Sequence, residues 1–531
     1  MAKKDVLIGA EARDAVMRGV DLVADTVKVT LGPLGRNVIL DTDPYANPTI
    51  TNDGVTIARE IKATGKYAAT GAKIVKEVAG KTNDVAGDGT TTASVLVQAI
   101  IHSGLQQLAI GANPQQLRRE IEGAGAAVLE AVRQQKTPIE DVEKLTAIAT
   151  ISCGDAKLGK LIARLVKKVG ANGVLTIEDA EEAKTSTRVT EGIELRGGIM
   201  LPVFITNVAR QVAELDNVPI FVTDHDITNA VEVIKIMEAC HNNNHKSAVL
   251  IANSIQGEAM ANCVVNWAQS KFKLLPIRVQ AFGEQGAGVL RDMAAATGAN
   301  FFAKDEGHRL PDDINGPGYE FSDFGFAERI IASKDRTNII GGDGERETRI
   351  KELKAQVKNL TRAFEKEQME ERIAKLESGV GVVRVAGITE SERTERKLRV
   401  EDAINAAKAA LADGVVPGGG AALYRAANRA FEGQTKSAGN TAIKKACEAP
   451  LRQMAINSGF ELDQSKLAAV CEEPGKTIDF RTSELVVGME AGIIDPLKVV
   501  VTALENAVSA AGLFLTSEAA VVRVQDTSEK L

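Results

Sequence analysis

The sequence contains one acidic turn flanked by glycines, Ala86-Gly87-Asp88-Gly89-Thr90-Thr91-Thr92, which runs directly into an apolar helical pattern. Glycines let backbone N–H groups approach an oxyanion closely, and a helix N-terminus adds the positive end of its dipole. The threonine hydroxyls can donate to phosphate oxygens or cap the helix. Because a carboxylate inside a phosphate-binding turn is repulsive unless a cation lies between, Asp88 is predicted to bind Mg²⁺. The structural alternative is an Asp-Gly turn followed by a threonine N-cap.

The composition favours a helix-rich protein with aliphatic cores. The 531 residues are enough for about two to four domains. The net charge of −7 argues against a general nucleic-acid binder, and 4% aromatic residues leave few stacking platforms. The N-terminus lacks the apolar run of a signal peptide, and no uninterrupted apolar span long enough for a membrane is present. We therefore expect a cytoplasmic protein without a membrane segment.

The cysteine and histidine positions give little support for a metal centre. The five cysteines are widely dispersed and form no C-x-x-C pair, so neither a zinc site nor a disulfide framework is indicated. His241 and His245 have the i, i+4 spacing that could hold a metal on a helix. The three asparagines between them favour a loop instead.

The first 135 residues predict a helical domain with one hairpin. Apolar side chains at helical spacing in residues 10–30 stop at Thr30-Leu31-Gly32-Pro33, a turn whose backbone could meet a ligand. Residues 37–41 and 48–51 predict a hairpin, and Asn52-Asp53-Gly54 forms a second acidic corner. Further helices are predicted at residues 70–85 and 91–135.

Strand-like and helical runs alternate through the middle of the chain, which predicts an α/β domain. Strands are predicted at residues 173–178, 186–191, 218–223, 248–252, 274–279, 300–303 and 329–332. Helices are predicted at residues 145–170, 229–241, 257–273 and 287–297.

The last third of the chain returns to helical character. Residues 347–376 predict a long amphipathic helix or a helical hairpin, and residues 401–413 a helix that ends at a glycine-rich break. Residues 421–525 resemble the first 135 residues in their Ala-rich helical pattern. This likeness suggests that both ends of the chain form one helical domain into which the α/β region is inserted.

Seven motifs occur in order between about residues 3 and 523. They are Val29-Thr30-Leu31-Gly32-Pro33-Leu34-Gly35-Arg36-Asn37-Val38, Thr51-Asn52-Asp53-Gly54-Val55, Asn83-Asp84-Val85-Ala86-Gly87-Asp88-Gly89-Thr90-Thr91-Thr92, Arg399-Val400-Glu401-Asp402-Ala403, Val415-Val416-Pro417-Gly418-Gly419-Gly420, Ala449-Pro450-Leu451-Arg452-Gln453 and Ile494-Asp495-Pro496. Together, and in this order, they resemble the group I chaperonins of the GroEL type.

The resemblance implies an α+β multidomain chaperonin fold in seven-membered rings, single or stacked. A mainly helical equatorial domain would comprise residues 1–135 and 413–531. A small intermediate α/β domain would comprise 136–191 and 380–412, and an inserted apical α/β domain 192–379. Gly192 and Gly379 match the hinge positions between the last two.

The resemblance also implies a nucleotide site with ATP and Mg²⁺ as cofactors, and it admits K⁺. Asp88 would hold the metal, Gly89 and the three threonines that follow would bind the phosphates, and Asp495 would accept the ribose hydroxyls. The remaining implied nucleotide contacts are Thr30, Leu31, Gly32, Pro33, Gly419, Asp479, Phe480 and Ile493. Asp402 would orient or deprotonate the attacking water, with Asp53 assisting.

The implied partners are non-native proteins, other copies of the chain and a ring-shaped co-chaperonin. The client-binding positions would be Ile199, Met200, Leu201, Val203, Phe204, Ile234, Met237, Met260, Val264 and Val265. Ile234 with Met237, and Met260 with Val264, have spacings that place each pair on one helix face. Periodicity alone favours core packing for such faces, whereas the resemblance favours an exposed binding surface.

Several departures from the family pattern mark a divergent member. Leu34 and Asn52 replace lysines, Ile199 and Val203 replace common tyrosines, and the Gly-Gly-Met tail is missing. The first hypothesis is therefore an ATP-driven folding chaperonin. The alternative is a paralogue that holds unfolded proteins with weak ATPase and little co-chaperonin dependence. An unrelated kinase is disfavoured because no Walker A or protein-kinase motif is present.

Overall fold

The computed structural model describes residues 4–41, 48–139, 141–171, 173–180, 184–208, 211–280, 283–357, 360, 362–377, 379–435 and 437–523. These form two compact units. Unit 1 comprises Met1–Ala171, Ile177–Thr187 and Val383–Leu531, and unit 2 comprises Asn172–Thr176 and Arg188–Val382. Unit 2 is thus an insertion, as predicted. The finer division into three domains stays a prediction.

Unit 1 is mainly helical. Its helices are α1 (Gly9–Val27), α2 (Gly54–Glu60), α3 (Lys66–Ala86), α4 (Thr90–Ala109), α5 (Pro114–Arg133), α6 (Val142–Cys153), α7 (Ala156–Val169), α13 (Glu390–Asp413), α14 (Ala421–Ala430), α15 (Ala438–Ser458), α16 (Gln464–Glu472), α17 (Gly488–Ala491) and α18 (Leu497–Leu515). The apolar stripe predicted on α1 is confirmed, because Val16, Val20 and Val23 are buried in the largest core of this unit. α4, α5, α15 and α18 pack around the same core.

The strands of unit 1 bring distant parts of the chain together in short pairs. They are β1 (Lys4–Ile8), β2 (Val38–Leu40), β3 (Thr49–Thr51), β16 (Val415–Pro417), β17 (Lys476–Asp479), β18 (Glu484–Val487), β19 (Ile494–Pro496) and β20 (Ala519–Arg523). β1 pairs with β20, which confirms that both ends of the described chain meet in one unit. β2 pairs with β3, which confirms the predicted hairpin; its turn lies outside the described residues.

Unit 2 is an α/β structure, as the alternating pattern predicted. Its helices are α8 (Ala230–Asn242), α9 (Gly257–Ala268), α10 (Gly283–Thr297), α11 (Arg346–Val357) and α12 (Ala363–Glu377). Its strands are β6 (Gly192–Ile199), β7 (Ala213–Thr223), β8 (Asp226–Ile227), β9 (Ser247–Ala252), β10 (Ser254–Ile255), β11 (Lys273–Val279), β12 (Phe301–Phe302), β13 (Gly325–Ala332) and β14 (Arg336–Gly342). The main sheet has the order β12-β7-β13-β14-β6-β11-β9, and β9 pairs back onto β7, which closes the sheet.

Three further strands, β4 (Val174–Asp179), β5 (Ser186–Thr190) and β15 (Val380–Val385), form a sheet in the order β4-β15-β5. The boundary between the two units falls within these three strands. They lie at the sequence positions assigned above to the intermediate segments, next to Gly192 and Gly379.

Some predicted elements have different bounds. The helix predicted at residues 257–273 ends at Ala268, and Ser270 then adopts a left-handed conformation with φ of 52°. The strand predicted at 300–303 is only the two-residue β12. The pattern at 347–376 is a helical hairpin, α11 and α12, rather than one long helix.

α18 is the one helix among the described residues that is long and apolar enough to cross a membrane. Within its apolar window, 61% of the residues are buried, and the helix packs against α3, α4 and α5. Its apolar character is explained by its place in the core of unit 1.

Candidate functional site

The glycine-flanked turn joins α3 to α4 and leaves the N-terminus of α4 open. Gly87 and Gly89 have left-handed backbones, with φ of 70° and 81°. The N-cap of α4 is Gly89, and no side chain caps this helix. The threonine cap considered above is therefore wrong, because Thr90 is already the first helical residue. The first backbone N–H groups of a long helix stay available here for an anion.

Other helices of unit 1 also begin without a side-chain cap, among them α1, α3 and α18, which pack against α4. Three helices that follow α4 in the chain do have such caps. α5 is capped by Asn113, α6 by Asp141 and α7 by Asp155, in each case through side-chain oxygens that accept backbone N–H groups. The open N-terminus of α4 is thus a property of its own sequence, where glycine occupies the capping position.

Two further segments close on the same turn. The Thr30 and Thr91 hydroxyl oxygens lie 3.3 Å apart, which brings the Thr30–Pro33 turn beside the start of α4. On the other flank, a Cβ atom built on Gly54 would lie 2.5 Å from the Thr91 hydroxyl oxygen. Thr30 and Gly54 therefore lie beside the start of α4, and the assignment of residues 30–33 to the nucleotide stays a prediction.

The opposite wall is built from β16, β19 and the glycine run. Val416 pairs with Asp495 across these strands, and the Gly419 backbone N–H donates to the Asp495 carboxylate. The Gly418 N–H donates to the Ile493 carbonyl oxygen at 2.9 Å. Gly420 begins α14 without a side-chain cap, so a second open helix N-terminus lies at this wall.

The implied adenine contacts differ in accessibility. Phe480 is buried and stacks on Phe460 with ring centroids 5.8 Å apart. Its ring edge lies 3.2 Å from the position that a Cβ on Gly419 would take. Phe480 thus packs against the glycine turn from the protein core. Asp479 and Ile493 remain partly accessible, and the Asp479 carboxylate accepts the Arg481 N–H.

Four aspartates interact electrostatically at this site, and three of them have raised pKa values. Burial, opposed by the Gly89 N–H and reinforced by the charge of Asp53, raises the pKa of Asp88 to about 6. Burial, followed by Asp88 and Asp53, raises the pKa of Asp402 well above its usual range. Burial, followed by Asp88, raises the pKa of Asp495 to about 6. Crowded carboxylates with raised pKa values are typical of functional sites.

Asp53 is also engaged in capping. Its carboxylate accepts the backbone N–H groups of Val55 and Thr56 and the Thr56 hydroxyl, so it begins α2. It lies near Asp88 and Asp402 nevertheless, because both of those carboxyl groups respond to its charge.

The residues present fit a divalent cation at Asp88. Within the described ranges, no three or more His, Cys, Asp or Glu side chains could hold a metal ion by themselves. Mg²⁺ does not need such a cage, since one or two carboxylates usually hold it together with substrate phosphates and water. The predicted arrangement of one carboxylate beside an open helix N-terminus meets that requirement.

Sequence reasoning missed three residues of this site. Ser152 on α6 lies near Asp88, and its hydroxyl oxygen is buried without a hydrogen-bond partner among the described residues. Asn405 on α13 donates to the Gly87 carbonyl oxygen. Asn457 on α15 donates to the carbonyl oxygens of Lys28 and Leu31, at 2.9 and 2.8 Å, and so holds the 30–33 turn. Each belongs to a helix distant in sequence, and no local motif marks it.

The predicted client-binding positions in unit 2 divide into two groups. Leu201, Val203 and Val265 are exposed, and Met200, Ile234, Met260 and Val264 are half-buried. Ile199, Phe204 and Met237 instead lie in the core of unit 2. Phe204 is 0% exposed and packs edge-to-face on Trp267, 5.3 Å between ring centroids.

Ile199, Phe204 and Met237 are covered in this structure, and the assignment of client contact to them stays a prediction. The family resemblance assigned all ten apolar side chains to the client surface, whereas periodicity alone favoured the core packing that is observed for these three.

Two solved structures resemble the whole chain. They are two crystal forms of the chaperonin gp146 from the bacteriophage EL 2 (Pseudomonas aeruginosa), both in the presence of ATP-BeFx. Form II matches with a TM-score of 0.68 and form I with 0.63. Each is 20% identical over 98% of this chain and 99% of the phage chain. At this identity the likeness establishes a shared chaperonin fold.

The sequence itself carries the family assignment. The model of the TCP-1/cpn60 chaperonin family matches residues 23–525. That range includes the turn at Asp88, the α13 segment with Asp402, and Asp495. The chain therefore belongs to the TCP-1/cpn60 chaperonin family.

Proposed function

We propose that this chaperone hydrolyses ATP at the Asp88 turn and uses the hydrolysis to promote folding of bound proteins. The observation that carries the proposal is the uncapped N-terminus of α4 beside Asp88, with Asp402 within electrostatic reach. The phage chaperonin with the same fold was solved in the presence of an ATP analogue. We assign residues 1–135 and 413–531 to an equatorial domain, 136–191 and 380–412 to an intermediate domain, and 192–379 to an apical domain.

The chain's own groups bind and orient the nucleotide. The N–H groups of Thr90 to Thr92 and the threonine hydroxyls donate to phosphate oxygens beside Gly89, whose own N–H donates to the Asp88 carboxylate. The Thr30–Pro33 turn closes from the other side. Asp495 accepts the ribose hydroxyls, with Gly419 close to the sugar. Ile493 and Asp479 form the adenine side, and the buried ring of Phe480 supports it by packing against Gly419.

Asp88 holds Mg²⁺, which neutralises charge on the β- and γ-phosphates when it is bound. Asp402 positions the attacking water and accepts its proton as the water oxygen bonds to the γ-phosphorus. The bond between that phosphorus and the β–γ bridging oxygen breaks, and ADP and inorganic phosphate leave. A carboxylate whose pKa is raised is a stronger base than an ordinary aspartate, which suits Asp402 to this step.

The apolar surface of unit 2 supports the client-binding part of the proposal. Leu201, Val203 and Val265 are exposed, with Met260 and Val264 half-buried on α9. Flexible methionine and branched side chains suit a surface that must accept many sequences. We propose that rings of this chain, in the cytoplasm, present this surface to non-native proteins.

The first prediction is that Asp402→Asn abolishes ATP hydrolysis while ATP binding survives. Loss of a general base costs about 10²–10⁴-fold in rate, so kcat should fall at least about 100-fold. The dissociation constant for ATP with Mg²⁺, measured by calorimetry, should stay within about threefold, because Asp402 contacts water rather than nucleotide.

Asp413→Asn, at the C-terminal end of α13, is the matched control and should keep normal kcat. If Asp402→Asn lost binding together with hydrolysis, the assigned role would be wrong. If the wild-type chain bound unfolded proteins but hydrolysed no ATP, a holding chaperone would replace the ATP-driven one.

A further inference from the structure

The helix that carries Asp402 is joined to the phosphate-binding turn by a second side chain, Asn405. Asp402 and Asn405 are three residues apart on α13, so they lie on the same helix face. The Asn405 Nδ2 donates to the Gly87 carbonyl oxygen at 3.3 Å. Gly87 directly precedes Asp88. One neutral side chain therefore connects the helix of the proposed base to the turn of the proposed metal ligand.

The contact is close-packed as well as hydrogen-bonded. A Cβ atom built on Gly87 would lie 2.5 Å from both the Cβ and the Cγ of Asn405. Such a distance is far inside van der Waals contact, so any side chain at position 87 would push α13 away. Gly87 is thus required twice, by its left-handed backbone and by the approach of Asn405.

Small residues continue the contact along the same face of α13. Ala409, one turn beyond Asn405, packs with Ala86 and Val499 in a buried cluster. Val499 also reaches the far side of the turn, since a Cβ on Gly89 would lie 2.5 Å from its Cγ1. Residues of α13 and α18 therefore pack against the turn at Ala86, Gly87 and Gly89.

Like charge opposes this approach. Asp402 comes towards Asp88 and Asp53, and carboxylates at short range repel one another in a poorly hydrated site. The hydrogen bond of Asn405 and the packing of Ala409 are neutral contacts, so they persist whatever the charge state of the site. They add a neutral attraction next to the phosphate-binding turn to the packing of α13 against α6, α7, α18 and β19.

We propose that Asn405 is a positioning residue that latches α13 onto the Gly87 carbonyl and so sets the fraction of time for which Asp402 faces the bound phosphates. The inference rests on the proposed role of Asp402. It adds that the docking of α13 is controlled by a side chain to which we assign no contact with the nucleotide or with the attacking water.

The test compares Asn405→Ala, which removes the donor, with Asn405→Asp, which keeps the shape and replaces the donor by a carboxylate. Asn428→Ala is the matched control, because Asn428 on α14 also donates from Nδ2 to a carbonyl oxygen, that of Tyr424 at 2.8 Å. Loss of one such bond should lower kcat roughly 3- to 10-fold in Asn405→Ala, and further in Asn405→Asp. The ATP dissociation constant should stay within about twofold, and Asn428→Ala should behave as wild type.

A double-mutant cycle separates a latch from a general structural role. In the Asp402→Asn background, Asn405→Ala should cause no further loss of hydrolysis, because the latch acts only through Asp402. Hydrogen exchange of the α13 amides should be faster in Asn405→Ala before any nucleotide is added, a readout independent of activity.

The outcomes distinguish the latch from the proposed function. Wild-type kcat in both Asn405 variants, with Asp402→Asn inactive, would overturn the latch and leave the function intact. An additive loss in the double mutant, or unchanged exchange in α13, would also overturn the latch. Absence of ATPase in the wild type would overturn both.

Discussion

At the scale of a single residue, the buried carboxyl group of Asp495 shows how this site lowers the stability of the folded protein. It is held on β19 beside Val416, and burial together with the charge of Asp88 raises its pKa to about 6. The Gly419 N–H is the one contact in this set that favours its charged form. In the unfolded chain the same carboxyl group titrates near its ordinary value of 3.8.

We predict that the nucleotide-free protein loses stability as pH rises through this range. Between the unfolded and folded pKa values the folded state binds more protons, so the free energy of unfolding falls with increasing pH. The Tm at pH 7.5 should lie below that at pH 5, and Asp495→Asn should reduce the difference by about 2–4 °C. Scanning calorimetry at both pH values measures this.

The difference between wild type and Asp495→Asn is the informative quantity, because other groups titrate in the same range. Identical pH dependence in the two proteins would contradict the assigned pKa shift. ATP with Mg²⁺ should raise the Tm of the wild type, since a ligand that binds only the folded state stabilises it.

At the scale of single residues, the sequence identifies a residue's role where that role depends on its immediate neighbours in the chain. Glycines around Asp88 indicate backbone approach to an anion from the local sequence alone, whereas the glycine run at 418–420 was assigned to the nucleotide only through the family resemblance. Asn405 could not be predicted, because its contact depends on where α13 packs. Phe204 and Met237 were assigned to the client surface through the family resemblance, because a periodic apolar pattern by itself cannot distinguish a core face from an exposed groove.

At the scale of elements, α10, α11 and α12 are joined by one buried carboxylate. Asp292 on α10 is 2% exposed and accepts from Arg349 of α11 at 2.9 Å and from Arg372 of α12 at 2.6 Å. The Arg372 guanidinium also donates to the Gly288 carbonyl oxygen at 2.9 Å. This charged centre fixes the helical hairpin against the rest of unit 2.

We predict that Asp292→Ala destabilises unit 2 by about 3–5 kcal/mol, because it leaves two partly buried guanidinium groups without their shared carboxylate. The single tryptophan, Trp267, lies in this unit, so its fluorescence during urea unfolding reports unit 2 directly. Asp216→Ala is the control, since Asp216 pairs with Arg329 at the surface. Equal unfolding midpoints for the two variants would contradict the prediction.

The sequence showed the apolar residues of the helical hairpin, α11 and α12, at helical spacing, but it did not show that a turn divides them. β6 and β14 were missed for a related reason. Glycines in β6 weaken a strand pattern, yet a Cβ on Gly192 would lie 2.5 Å from the Ile339 carbonyl oxygen, so the close strand pairing requires glycine there.

At the scale of the whole molecule, unit 2 is inserted into unit 1, so the proposed client surface and the proposed nucleotide site lie in different parts of the sequence. The pairing of β1 with β20 joins the two ends of the described chain within unit 1. That arrangement was predictable because the two ends share a compositional pattern that the middle lacks. The ring itself cannot be read from one chain's pattern, because it depends on surfaces that meet only in the assembly.

We predict that the purified protein forms rings in solution. Seven chains of 56.3 kDa give a particle of about 390 kDa, and two stacked rings give twice that mass. Static light scattering, with and without ATP and Mg²⁺, measures the mass directly. A chamber requires the ring to be present in at least one of these conditions, because no single chain can enclose a client. A monomeric protein under both conditions would contradict the chamber mechanism. It would not contradict the ATPase activity assigned to Asp402, because every residue of that site lies within unit 1 of one chain.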